Sequence, residues 1–176
     1  MTEFIYLHGF ASGPNSNKAR VFKERFEELS IPIHVPDLQQ NDFENLTLSR
    51  QIELVQAILD REEHKNFGLV GSSMGGYLAS IIAQTRESVK ALYLMAPGFN
   101  FLKRWRKKLD LSKTAASLIP VFHYRYNKEV LLNTHLFQDA EKWESLSLDR
   151  DIPTVIAHGL HDETVSIQES RSFVQS

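Results

Sequence analysis

The stretch Asn66-Phe67-Gly68-Leu69-Val70-Gly71-Ser72-Ser73-Met74-Gly75-Gly76-Tyr77-Leu78-Ala79-Ser80 decides how this chain reads. Phe67 to Val70 is an apolar run of the length expected for a strand buried on both faces. Gly71-Ser72-Ser73-Met74-Gly75 fits G-x-S-x-G. Helical spacing follows, with Leu78, Ile81 and Ile82 on one face and small Ala79 and Ala83 beside them. A nucleophile elbow forces its serine into a strained strand-to-helix turn, and Gly71 and Gly75 leave room for that backbone. The turn would hold Ser73 Oγ clear of the sheet at the positive end of the next helix. G-x-S-x-G arises by accident in roughly one chain in twenty of this length, so the rest of the sequence has to carry the reading.

Outward from the elbow, strand and helix patterns alternate. Phe4 to Leu7 reads as a first buried strand, ending in His8-Gly9-Phe10. Ser16 or Asn17 caps a helix running to about Leu29, and Ile31 to Val35, interrupted by Pro32, suits an edge strand. Thr47 caps a helix with the stripe Ile52, Val55, Ile58, Leu59, ending near His64. Beyond the elbow helix, Val89 to Met95 is a strand closed by Ala96-Pro97-Gly98. The alternation then breaks down from 99 to about 148, a cap-like insert rich in aromatics. Thr154 to Ala157 is a further strand, running into His158-Gly159-Leu160-His161-Asp162 and a helical pattern from Thr164 to Val174. This order predicts one α/β domain over 1–176, a three-layer α/β/α sandwich with a mostly parallel sheet of about five strands. Such sheets carry active residues at the carboxyl ends of their strands, where His8, Ser73, Pro97 and His158 to Asp162 all fall.

A serine hydroxyl needs a base, and the base needs an orienting acid. In this architecture the acid lies between serine and histidine in chain order, and Asp162, in a tight turn after the last strand, stands there. The oxyanion needs two backbone donors. Met74 N–H follows the nucleophile directly, and Phe10 N–H, with Ala11 in reserve, lies on the loop after the first strand. Gly9 lets that loop approach, and His8 is expected to fix it by hydrogen bonding. His158, His161 and Asp162 sit too tightly in one turn, without a helical scaffold, to make a persuasive metal site.

Composition narrows the class. Net charge is -2 over 176 residues, so no global charge draws the chain to nucleic acid or anionic membrane, and there are no cysteines for disulfides or thiolate metal sites. The chain opens without a basic segment leading into a signal-length apolar run, and no run is long enough to span a bilayer. A cytoplasmic location is expected. The run Lys103-Arg104-Trp105-Arg106-Lys107-Lys108 reads as a solvated helix face paired with acids, or as a contact for the phosphates of an anionic substrate such as a coenzyme A thioester.

His8-Gly9-Phe10 with Ser12, Pro14, Ser16 and Lys18-Ala19, followed by Gly71 to Tyr77, resembles the small bacterial esterases of the YqiA/YcfP type, within the α/β-hydrolase superfamily. The resemblance covers about Phe4 to Pro97 and Pro153 to Ser166. It implies Ser73 as nucleophile, Asp162 as acid, small carboxylic esters or thioesters as substrates, and no metal or organic cofactor. That family places its catalytic histidine in a loop after one further strand. None of the seven histidines before Ser176 stands there, so the last strand and helix of the fold are expected to be lacking, activity to be impaired, and the open sheet edge to favour self-association. His158, at the right edge of the sheet, is the resident substitute for the base. The rival reading is a noncatalytic hydrolase-fold protein that binds a ligand or partner.

Overall fold

The elbow strand lies at the centre of the sheet. The computed structural model describes residues 2–62, 64–109 and 117–175. In chain order the elements are β1 (Thr2–Leu7), α1 (Asn17–Glu28), β2 (Ile33–His34), α2 (Leu48–Asp60), β3 (Asn66–Ser72), α3 (Met74–Thr85) and β4 (Val89–Met95). There follow α4 (Phe101–Leu109), β5 (Leu118–His123), β6 (Lys128–Asn133), α5 (His135–Glu144), β7 (Thr154–Ala157) and α6 (Ile167–Gln175). The main sheet is parallel throughout, in the order β2-β1-β3-β4-β7, as the alternating strands and helices predict.

Alternation along the strands builds two cores. Ile5, Leu7, Leu69 and Leu94 point to the face covered by α2, α3 and α5, whereas Tyr6, Val70, Tyr93 and Met95 meet α1 through Ala19 and Phe22. Each large apolar side chain so buried contributes about 1.5–3 kcal/mol relative to exposure. α3 is buried along most of its length, which accounts for its Gly, Ala and Ile content.

Several boundaries differ from expectation, among them the start of the last helix, at Ile167 rather than Thr164. β2 pairs with β1 only through Ile33 and His34, because Pro32 has no N–H to give and lends its carbonyl to Phe4 N instead. α2 stops at Asp60, short of His64. The 99–148 segment is also more regular than its sequence suggests: α4, an antiparallel β5–β6 hairpin and α5, with 110–116 outside the described residues. Ile119, Val121 and His123 turn inward on β5 while Leu118, Pro120 and Phe122 turn out. In the basic run, Arg106 pairs with Glu141 and Glu144, Arg104 with Glu169, and Lys108 lies over the Trp105 ring.

Arg150 closes the carboxyl end of α3. Its guanidinium donates to the carbonyls of Ala83, Arg86 and Val89, while its backbone N–H bonds Gln84 Oε1. Ala83 lies in the last turn of α3, which has no basic residue within it, Arg86 is the C-cap, and Val89 opens β4, so one guanidinium ties the helix end to the next strand. Arg150→Met is therefore expected to cost about 2 kcal/mol in urea unfolding, the scale of charge-assisted bonds. Arg150→Lys should recover only part, since an ammonium cannot fork between the carbonyls.

Candidate active site

The strand register brings the candidate residues together. Leu7 is paired with Gly71, Ser72 with Met95, and Met95 with Ala157, so four strands end on one line. His8, Ser73, Ala96 and His158 are the residues that follow. Ser73 has φ 54° and ψ -119°, and its side chain makes no capping bond to α3, which leaves Oγ uncommitted. Its carbonyl accepts from the amides of Gly76 and Gly98 (2.9 Å each) and its own N–H donates to Met95 O (2.9 Å), so the turn is pinned on both sides. A Cβ on Gly75 would overlap the carbonyl oxygens of Leu7 and His8, and one on Gly71 would come 2.5 Å from Gly75 O. Helix, elbow and β1 thus meet backbone to backbone.

The loop after β1 folds against this turn. A Cβ on Gly9 would stand 3.4 Å from both Ser72 O and Ser73 Cβ. The amides of Phe10 and Met74 have no acceptor among the described residues. His8 is buried. Its Nε2 accepts from Leu38 N–H (3.1 Å), which leaves Nδ1–H to donate to Gly9 O (3.0 Å). Burial pushes its pKa below the ordinary value, so the ring is neutral.

Asp162 lies across the same cavity. Its Oδ1 accepts from Val165 N–H (2.8 Å) and Thr164 N–H (2.9 Å). The Val165 amide, joined by that of Thr164 and by the Lys18 charge, holds the carboxyl below its usual range against partial desolvation. It is a carboxylate at neutral pH. Ser73 and Asp162 share the lining of a polar cavity of about 360 Å³, with Gly9, Phe10 and Lys18 around them. Ser73 also lines a second cavity of about 420 Å³, walled by Phe10, Phe101, Trp105, Phe122 and Tyr124 from core and insert.

His158 is not brought to Ser73. Its Nε2–H donates to Val165 O (2.8 Å) and its Nδ1 accepts from Ser170 O–H (2.7 Å), so both nitrogens are used where β7 meets α6. It lines a separate cavity with Ile156 and Val174. Among the described residues no histidine lines either cavity beside Ser73, and no group of three or more His, Asp or Glu is placed to hold a metal ion. No helix among the described residues is long and apolar enough to cross a membrane. The site also recruits residues the sequence did not mark. Gln39 and His123 are both buried beneath the loop after β1, and His123, its pKa lowered by burial and by the Arg125 charge, is neutral.

A parallel sheet of this order, with a glycine-flanked strand-to-helix turn after its central strand, has the α/β-hydrolase fold. Solved structures agree. Est1E from Butyrivibrio proteoclasticus, determined with ferulic acid bound, superposes with a TM-score of 0.82 at 18% identity, over 99% of this chain and 75% of that one. The mouse alpha/beta hydrolase domain-containing protein 10 gives 0.76 at 23% identity, over 98% of this chain and 74% of its own. The chain belongs to the uncharacterised protein family UPF0227, whose model matches residues 3–176; this is the YqiA-type esterase family that the sequence resembles. It is also 38% identical over 100 residues to "Putative esterase/lipase 2" of Mycoplasma pneumoniae, a match that takes in 53% of this chain. The matched stretch spans only 37% of the length of that relative.

Proposed function

We propose that this chain carries the acyl-transfer machinery of a serine esterase or thioesterase. The observation that carries the reading is Ser73 itself, held at positive φ with its hydroxyl uncapped where a polar and an aromatic cavity meet. Ser73 Oγ attacks the carbonyl carbon of an ester or thioester. The carbonyl π pair moves to oxygen, where the Phe10 and Met74 amides receive it. The Ser73 proton passes to a base, and collapse of the adduct expels the alcohol or thiol, which takes that proton. Water then releases the acid by the same route. The aromatic cavity takes the acyl group, and the polar cavity takes the base, oriented by the Asp162 carboxylate.

The base is the one role for which no described residue is placed, and this supplies the test. The 360 Å³ between Ser73 and Asp162 exceeds the volume of an imidazole ring, so added imidazole should enter it and serve as the base. Turnover of p-nitrophenyl esters in millimolar imidazole should exceed that of the Ser73→Ala variant by at least about tenfold, a conservative share of general-base catalysis. Asp162→Asn, which keeps an acceptor for Thr164 and Val165, should lose most of that gain. Identical imidazole-dependent rates for the parent and Ser73→Ala would overturn the assignment. They would favour the noncatalytic reading, which draws its support from the absence, among the described residues, of a histidine lining the cavities beside Ser73.

A further inference from the structure

The β5–β6 hairpin does more than wall a cavity, because its tip is bonded to the loop that follows β1. Tyr124 N–H donates to Ala11 O (2.9 Å). Gln39 Nε2 donates to Ser12 O (2.6 Å), and Gln39 Oε1 accepts from His123 Nε2–H (3.0 Å). A carbonyl has no hydrogen to give, so Ser12 O fixes the orientation of the Gln39 amide, and the amide in turn fixes the tautomer of His123. On the flank, Arg125 donates to Asp37 (2.9 Å), whose other oxygen stands 3.8 Å from His8 Nε2. Gln39 is 3% exposed and His123 is fully buried, edge-on to Phe43 and stacked on Tyr126. Buried polar groups of this kind are expensive unless paired, and since His123 Nδ1 has no partner among the described residues, the Nε2–H bond to Gln39 is the one hydrogen bond that holds the ring.

The loop has need of such a constraint. Ala11 sits at φ 53°, in the left-handed region that a Cβ disfavours, one residue after Phe10. A conformation of that sort persists only where its surroundings over-determine it. Gly9 O, before Phe10, is held by His8 Nδ1–H and Ser12 N–H, whereas Ala11 O and Ser12 O, which follow Phe10, both lead to the hairpin.

We propose that Gln39 and His123 are positioning residues, which through Ser12 and Ala11 hold the Phe10 amide in place opposite Ser73, so that the insert hairpin organises the oxyanion site. The inference rests on the reading above that Phe10 N–H serves the oxyanion.

The test uses the full chain with three substitutions. His123→Leu and Gln39→Met remove the link, one from each side, and His123→Gln restores a donor near the Nε2 position. Amide hydrogen exchange at Tyr124 reports docking of the tip without relying on catalysis, and ester turnover with imidazole reports the oxyanion site. Tyr124 exchange should quicken at least tenfold in both removal variants and stay near the parent rate in His123→Gln. Their kcat should fall at least tenfold with KM within twofold, and His123→Gln should recover most of it. Tyr124 exchange within twofold of the parent in whichever removal variant folds would overturn the proposal. Faster exchange with unchanged kcat would overturn it as well, since the hairpin would then dock without serving chemistry. Retained turnover in Ser73→Ala would instead mark failure of the serine reading, while the exchange rates still decide whether Gln39 and His123 hold the loop.

Discussion

Gly75→Ala should destabilise this protein by at least about 3 kcal/mol, the upper range for overpacking at a rigid contact. Helix propensity alone predicts the opposite sign, a gain of about 1 kcal/mol for Gly to Ala inside a helix. The sign is decided by what the methyl would meet. The carbonyl oxygens of Leu7 and His8 lie across the Gly75 Cα, both of them backbone, and the β1 end is pinned by its pairing with β3. Neither side can rotate out of the way as a flexible side chain would. Gly159→Ala is the control, because a Cβ there meets nothing closer than Asp162 Cβ at 4.0 Å. Urea unfolding of the two variants makes the comparison, with Gly159→Ala expected within about 0.5 kcal/mol of the parent. Equal stability of Gly75→Ala and the parent would mean that α3 does not sit against β1 as described.

Ser73→Gly should move stability and turnover in opposite directions. Ser73 has φ 54° and ψ -119°, where a side chain costs about 1–3 kcal/mol and glycine sits without strain. The serine makes no side-chain bond whose loss would offset the relief. The added freedom of glycine in the unfolded chain returns about 0.5–1 kcal/mol, so the net gain is about 1 kcal/mol. For a chain of this size that is a rise in Tm of about 2–4 °C. Ester turnover with imidazole should meanwhile fall at least about a hundredfold, since the attacking oxygen is gone. A lowered Tm would contradict the strain argument, and retained turnover would contradict the nucleophile. The two measurements fail independently.

Much of this arrangement was legible because it follows from local rules. The run Phe67 to Val70, the flanking Gly71 and Gly75 and the apolar spacing of α3 locate the turn without reference to anything distant. The placement of Ser73 and Asp162 on one edge follows from parallel pairing. What escaped notice depends on pairs far apart in sequence. Gln39 reaches Ser12 across 27 residues and His123 across 84, and no periodicity marks such partners. Pro120 interrupts the strand pattern that would mark His123 as the last inward position of β5. The guanidinium of Arg150 is bonded to backbone carbonyls, which carry no signature in a sequence. The sequence places His158 on the edge of the sheet, which is all that suggests it as a substitute base. Edge position fixes a Cα, whereas the bonds to Ser170 and Val165 decide where the ring faces.

The alternation of β5 also bears on how this protein would be re-engineered. Pro120 and Phe122 look into the aromatic cavity from one side of the strand, while His123 on the other side reaches Gln39. A mutant library meant to retune substrate range should therefore randomise Pro120 and Phe122 and leave the buried positions 119, 121 and 123 untouched. Insertions or deletions within the strand should be excluded, because a shift of one residue exchanges the two faces and turns Phe122 toward the buried side.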